Sequence, residues 1–261
     1  LMNYIVTTSY KPSREEVTKA RDLAEEMGVK YVSRSRLKEY EKEKVLDFYY
    51  VFDKNGQLVI RSGEEVFFFH PGMSKVRLKN IKLQDSDYLI KSMELAGTEL
   101  VLDTTFGLGN EALLIANFLP DGKVVGLEAS EHIFRVVSHG LKNYPYEDDW
   151  TREAAGRIEL YNRDLREFVR SCGEGSYDIV YCDPMFDRPQ YSSHSINPLR
   201  PFAVYDRINR DDVDWMIRAA RRKFILKSRT RDTLFQELGI EFDRLWGSKK
   251  SGVLYGVVDK R

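Results

Sequence analysis

The chain has 261 residues, 42% of them hydrophobic and 12% aromatic, enough apolar surface to bury a core in one large domain or two smaller ones. Lys plus Arg and Asp plus Glu number 41 each, so the net charge of zero excludes a global pull toward nucleic acid or membrane, and any such partner has to be met by a local patch. No apolar run approaches the length of a membrane span, no charged-then-apolar targeting pattern opens the chain, and the two cysteines, Cys172 and Cys182, suit a reducing compartment, so the expectation is a cytoplasmic protein.

The first elements predict a small α/β domain over residues 1–74. "MNYIVTTS" reads as a strand, and "PSREEVTKARDLAEEMG" as a helix with Ser13 as its cap, Glu16 completing a capping box and Gly28 as its stop. A short strand at "KYVSR" and a helix at "LKEYEKEK" follow. Two β-rich runs around Asn55-Gly56 in "FYYVFDKNGQLVI" form a hairpin signal, and "EEVFFFHPGM" adds a strand that ends on Pro71-Gly72. From Lys75 to Lys82 the chain reads as basic and irregular, which places the domain junction there.

Residues 75–261 then alternate helix and strand, the pattern of a doubly wound, mostly parallel sheet. Strands are expected at "ELVLD", "KVVGLE", "RIELYN", "YDIVYCD" and "KFILK", each preceded by a helix, with "RDDVDWMIRAARR" leading into the fifth. After the helix "RDTLFQELG", the runs "IEFDRLW" and "GVLYGVV" predict a closing antiparallel hairpin, which brings the sheet to seven strands.

The chemistry is expected at the carboxyl ends of these strands, where open α/β sheets bind ligands. In "ELVLDTTFGLGNEA" a strand ends on Asp103, and Gly107 and Gly109 follow before a helix begins. A plain tight turn would need the same glycines, and Gly107-x-Gly109-x-x-Ala112 also meets a loose dinucleotide fingerprint. Against a nicotinamide cofactor stands the position of Asp103, a carboxylate that attracts an ammonium and repels a pyrophosphate. S-adenosylmethionine has such a cationic end and no phosphate. Glu128, which ends the next strand, suits its ribose hydroxyls; Asp164 suits its adenine amine, although the same residue would serve as a helix cap. Asp183 ends the fourth strand in "IVYCDPMF". Its carboxylate and the Pro184 carbonyl can accept the two protons of an exocyclic amine, and Phe186 can stack on the base that carries it. Neither the cysteines nor the four histidines show metal-type spacing, so no metal site is expected. No Gly-Lys-Ser/Thr loop occurs, which excludes a P-loop ATPase.

Together "DTTFGLGNEA" and "IVYCDPMF" resemble the bacterial small-subunit ribosomal RNA guanine-N2 methyltransferase family of class I S-adenosylmethionine enzymes, from about Phe69 to the C-terminus. The resemblance implies a class I methyltransferase domain with a Rossmann-like sheet. It implies cofactor contacts from the glycine loop with Asn110 and Glu111, from Glu128 and Ala129, from Arg163 and Asp164, and from Asp183. The family has Arg-Asp where this chain has Asn110-Glu111, an Arg where it has Ala129, and a different N-terminal unit. The implied partner is RNA, as ribosomal RNA or a small ribosomal subunit particle. Arg218 to Arg231 is a basic segment without an acid, in which Lys227, Arg229 and Arg231 are placed to contact RNA phosphates; a solvated helix face would look alike. The long stretch from Phe186 to Asp212 reads as a substrate flap. Methylation of adenine N6 or of a protein amide, and RNA binding without catalysis, are the competing expectations.

Overall fold

A computed structural model describes residues 2–84, 87–184, 197–204 and 207–260. The chain forms two compact units, one of residues up to His70 with 135–145 and 197–202, the other of most of the remainder.

In the first unit, β1 (Tyr4–Thr8), β2 (Phe48–Phe52), β3 (Leu58–Ser62) and β4 (Glu65–Phe67) form a four-stranded sheet in chain order. β1 and β2 run parallel, joined by helices α1 (Arg14–Glu26) and α2 (Leu37–Glu43), and the remaining pairs are antiparallel. The capping box at the start of α1 is formed, with the Glu16 N–H donating to the Ser13 hydroxyl at 3.1 Å and the Ser13 N–H donating to the Glu16 carboxylate at 2.6 Å. Asn55-Gly56 makes the β2–β3 turn, where Gly56 takes a φ of +73° that a side chain would resist. One face of the sheet is aromatic: Tyr4 stacks on Phe48 at 4.7 Å, and Phe48 meets Phe202 edge-on at 4.9 Å. The expected strand at "KYVSR" reduces to a single bridge between Val6 and Tyr31, because the chain turns again at once with Arg36 N–H donating to the Ser33 carbonyl.

The second unit contains the seven-stranded sheet. Its strands are β5 (Leu100–Asp103), β6 (Lys123–Glu128), β7 (Ile158–Asn162), β8 (Tyr177–Cys182), β9 (Ala220–Arg229), β10 (Arg244–Ser248) and β11 (Val253–Asp259). Their order is β10-β11-β9-β8-β5-β6-β7, parallel from β9 to β7, with β11 antiparallel to β9 and β10 antiparallel to β11. The doubly wound sheet with its closing hairpin is thus present. Leu102, Val125, Val180, Phe224 and Leu226 are buried at its centre, with Val213 and Met216 of a covering helix packed on them.

Helices α3 (Gly72–Gln84), α4 (Tyr88–Met93), α5 (Asn110–Asn117), α6 (Glu131–Asn143), α7 (Asp149–Gly156), α8 (Leu165–Ser171), α9 (Arg210–Ala219) and α10 (Leu234–Leu238) complete the chain, with a 3-10 turn at Asn197–Phe202. Two readings of the sequence are corrected here, and one helix is added. Lys75 to Lys82 is helical, inside α3, as its Lys, Arg and Leu content allows once Pro71 has set the start. α7 falls in a stretch to which the sequence reading assigned no element, and Asp148 caps it through the Thr151 N–H at 2.8 Å. Strand β9 starts at Ala220, so Arg221 and Arg222 belong to the strand rather than to the helix before it.

Candidate active site

Register alone gathers the strand-end acids. Asp103 lies between Gly126 of β6 and Tyr181 of β8, Glu128 ends β6 two residues past Gly126, and Asp183 follows β8 two residues past Tyr181. Cys182 pairs with Leu226 on β9, so the next residue of each strand sets Lys227 beside Asp183. Parallel strands present their carboxyl ends on one rim of the sheet, and four ionisable side chains stand there.

The loop after β5 is shaped by Phe106. Its ring is buried, and it fills the space that side chains at Gly109 and Gly126 would need: a Cβ on either would lie 2.5 Å or 2.1 Å from the ring. Phe106 N–H donates to the Leu127 carbonyl at 2.9 Å, tying the loop to β6. Gly107 has a φ of +55° and open space where a Cβ would point, and its N–H donates to Glu128 Oε2 at 3.0 Å. The other oxygen of Glu128 accepts the Ser130 N–H at 2.8 Å. Glu128 therefore clamps two loops, and burial raises its pKa above the usual carboxylate value. Each of its oxygens retains a lone pair for a ligand hydroxyl.

Asp103 is 1% exposed and accepts the Thr105 N–H at 3.1 Å. Burial, with smaller contributions from the charges of Glu111 and Asp183, raises its pKa to about 8 against the pull of the Thr105 N–H and of Lys227, so it holds its proton at pH 7. Thr105 in turn accepts the Asp183 N–H at 2.7 Å through its hydroxyl, which joins the ends of β5 and β8.

Lys227 Nζ lies 2.6 Å from Asp183 Oδ2 and 3.4 Å from Glu111 Oε1, and its side chain is 15% exposed. Arg77, on α3, donates to the same Glu111 oxygen at 3.0 Å and grips Asp87 with two further N–H groups at 2.9 and 3.0 Å. Burial would raise Glu111, yet the Lys227 and Arg77 charges outweigh it and hold that carboxyl at about 2. Burial would likewise lower Lys227, but Asp183 and Glu111 keep its ammonium charged. Asp183 is raised by burial, against the pull of Lys227, with the Glu111 charge adding to the rise. Its second oxygen, Oδ1, is buried with no hydrogen-bond partner among the described residues. An orphaned carboxylate oxygen at this depth is costly unless something donates to it.

The structure thus brings Asp103, Gly107, Glu111, Glu128, Asp183 and Lys227 to one edge of the sheet. Asn110, the first residue of α5, is turned to accept the Ser74 N–H at 3.3 Å. Asp164 caps α8 through Oδ1, which accepts the N–H groups of Arg166 at 2.8 Å and Glu167 at 3.4 Å. Ala129 and Arg163 are exposed, and the Arg163 N–H donates to the Glu128 carbonyl at 3.2 Å. Arg229 ends β9 and Arg231 lies exposed beyond it. Of the other basic residues, Arg221 pairs with Asp178, Arg222 with Glu99, and Lys223 with Glu94 and Asp259. Of the expected flap, Phe186 and the rest of residues 186–196, with 205 and 206, lie outside the described residues. Pro184 is buried. Arg77 was not among the expected site residues, since its segment carried no helix signal that would aim it at Glu111.

The residues fit S-adenosylmethionine on their chemistry. The carboxyl groups at the ends of β5 and β6 suit an ammonium and a pair of ribose hydroxyls, the space at Gly107 is open, and Asp183 Oδ1 lacks a donor among the described residues.

A family model described as "Putative SAM-dependent methyltransferase" matches residues 58–220, more than half of the chain. An uncharacterized protein, YpiP, of Bacillus subtilis (strain 168) is 28% identical over 238 residues, which cover 90% of this chain and 92% of that one. Ribosomal RNA small subunit methyltransferase J of Acinetobacter baumannii (strain SDF) is 26% identical over 122 residues, covering 46% of this chain and 42% of the enzyme. A tRNA1(Val) (adenine(37)-N6)-methyltransferase of Flavobacterium psychrophilum is 28% identical over 95 residues, or 36% of this chain and 37% of that one. Among solved structures, the SAM-dependent methyltransferase NGO1261 of Neisseria gonorrhoeae shares the fold, with a TM-score of 0.63 at 16% identity over 97% of this chain and 95% of that one.

Proposed function

The chain belongs to the S-adenosylmethionine-dependent methyltransferase family whose model it matches, and from that premise we propose that it methylates an exocyclic amine of a nucleobase in RNA, namely N2 of guanine in small-subunit ribosomal RNA. The observation that carries this reading is the Asp183 carboxylate, fixed through Oδ2 by Lys227 at 2.6 Å while Oδ1 has no partner among the described residues.

When bound, S-adenosylmethionine supplies a methyl group on a positively charged sulfur. Glu128 and the Gly107 loop hold the ribose side of the crevice, and Asp103 meets the cationic end. An exocyclic amine is a weak nucleophile because its lone pair is delocalised into the ring. Asp183 Oδ1 and the Pro184 carbonyl accept its two hydrogens and turn the lone pair outward. Transfer of that methyl group would break its bond to sulfur as the C–N bond forms, leaving the sulfur as a neutral thioether and the nitrogen positively charged with a proton to shed. Asp183, raised above the ordinary carboxylate range by burial, is a competent acceptor of it.

Support for an RNA substrate comes from the relatives named for ribosomal and transfer RNA, each matched over less than half of its length. The relative named for adenine N6 keeps methylation of that amine as a second reading. A protein of this function works in the cytoplasm; none of the described helices is long and apolar enough to cross a membrane. Nucleoside mass spectrometry of ribosomal RNA from a strain without this protein tests the reading. Loss of one N2-methylguanosine is expected, loss of N6-methyladenosine would select the second reading, and an unchanged profile would refute both.

A further inference from the structure

The N-terminal unit has a cavity of about 480 Å³ that takes no part in the carboxylate site, a volume typical of small-ligand pockets. Its floor is one face of the sheet. Val51 pairs with Val59, and Arg61 pairs with Val66, so these four residues share that face, and all of them line the cavity. Two walls are aromatic and wet: Tyr10 is 58% exposed and Phe68 is 47% exposed.

The cavity is also cationic. The Arg34 guanidinium lies 4.8 Å from the Tyr10 ring centre and 5.7 Å from that of Tyr49, and its Nη1 is buried with no hydrogen-bond partner among the described residues. Arg61 is exposed and has no ion-pair partner among them. The acid that lines the cavity, Asp53, has Oδ1 occupied by the Asn55 and Gln57 N–H groups of the hairpin turn. An apolar floor, two exposed rings, one Arg34 guanidinium nitrogen without a partner among the described residues and the exposed Arg61 guanidinium match a ligand with a flat face and an anionic tail.

We propose that this cavity takes one single-stranded nucleotide of the RNA substrate, with its base stacked on Phe68 and Tyr10 and its phosphate against Arg61. The proposal rests on the RNA reading given above. Stacking on a ring tolerates any base, so the unit would hold substrate without selecting the base to be methylated. An acidic peptide would satisfy the arginines but leave the ring faces unused.

Fluorescence anisotropy of a labelled single-stranded oligoribonucleotide against the full chain tests it. Phe68→Ala and Tyr10→Ala should each weaken binding about tenfold, within the range for loss of one stacked base. Arg61→Ala should flatten the log–log salt dependence by about 0.7, the value for one phosphate on a single strand. Circular dichroism of each variant controls for folding, and photocrosslinking of the parent protein with 4-thiouridine RNA should label the peptides that carry Tyr10 or Phe68. If the folded Tyr10→Ala/Phe68→Ala variant binds and methylates RNA like the parent, the inference is overturned and the proposed function stands. If the parent neither binds nor methylates RNA, both fall. Competition by adenosine monophosphate without any loss of RNA affinity in the variants would identify a free-nucleotide site and overturn the RNA assignment.

Discussion

Asp183 has one oxygen committed to Lys227 and one without a donor among the described residues, which separates its structural duty from its chemical one. Asn can still accept through its carbonyl but is neutral, whereas Ala cannot accept at all. In single-turnover methyl transfer at saturating cofactor and RNA, Asp183→Asn should be impaired and Asp183→Ala far slower, by about 10²-fold or more. An Ala variant at the parent rate would return Asp183 to the role of a strand terminator. Asp103 makes a different prediction. Its ordinary value of 3.8 is raised to about 8 by burial. Between those values the folded chain holds a proton that the unfolded chain has lost, so this group costs stability increasingly as pH rises from about 4 to about 8. A cationic ligand end reverses the preference and expels the proton. Calorimetry at pH 7 in buffers of differing ionisation enthalpy should show release of about one proton when S-adenosylmethionine binds. Asp103→Asn should abolish that release, and an undiminished proton count would show that the cationic end lies elsewhere. Asp103, Glu128 and Asp183 were legible in the sequence because a carboxylate that ends a buried strand is visible without any tertiary information. Lys227 was read from the sequence as a contact for RNA phosphates. Its pairing with Asp183 and Glu111 depends on the β8–β9 register and on α5, neither of which a spacing encodes.

At the scale of elements, the loop between β5 and α5 depends on a long-range contact. In "FGLGNEA" Gly107 faces open space, whereas Gly109 and, on a different strand, Gly126 make room for the Phe106 ring. Gly126→Ala would set a Cβ 2.1 Å from that ring and force it out. A loss of about 1–3 kcal/mol in denaturant unfolding is expected, the usual range for overpacking. An unchanged midpoint would mean that the ring has room to move. Glu128 joins the same loop to the start of α6 through Gly107 and Ser130. Its replacement by Ala should weaken cofactor binding by about 1–3 kcal/mol and speed hydrogen exchange at both amides. Protection that survives in the variant would assign the loop's order to Phe106 alone. The helix α3 escaped the sequence reading because its apolar residues do not form a clean stripe. It is held instead by Arg77, which bridges Asp87 and Glu111. Polar anchoring of this kind leaves no periodic signal.

For the whole molecule, strict alternation of helix and strand was enough to foresee the doubly wound sheet, and the two final β-runs were enough for its antiparallel edge. The way the chain divides was harder to read. Residues 135–145 cluster with the N-terminal unit although they follow α6's start in the second, and such a return of the chain has no compositional mark. The central claim is that this family member methylates guanine N2 in RNA by presenting the amine to Asp183. The most direct measurement incubates the purified protein with methyl-labelled S-adenosylmethionine and small-subunit ribosomal RNA from cells lacking it, then digests the RNA and identifies the labelled nucleoside. The account predicts label in N2-methylguanosine, lost with Asp183→Ala. Label that enters protein or a different nucleoside, or that persists in the Ala variant, would contradict it.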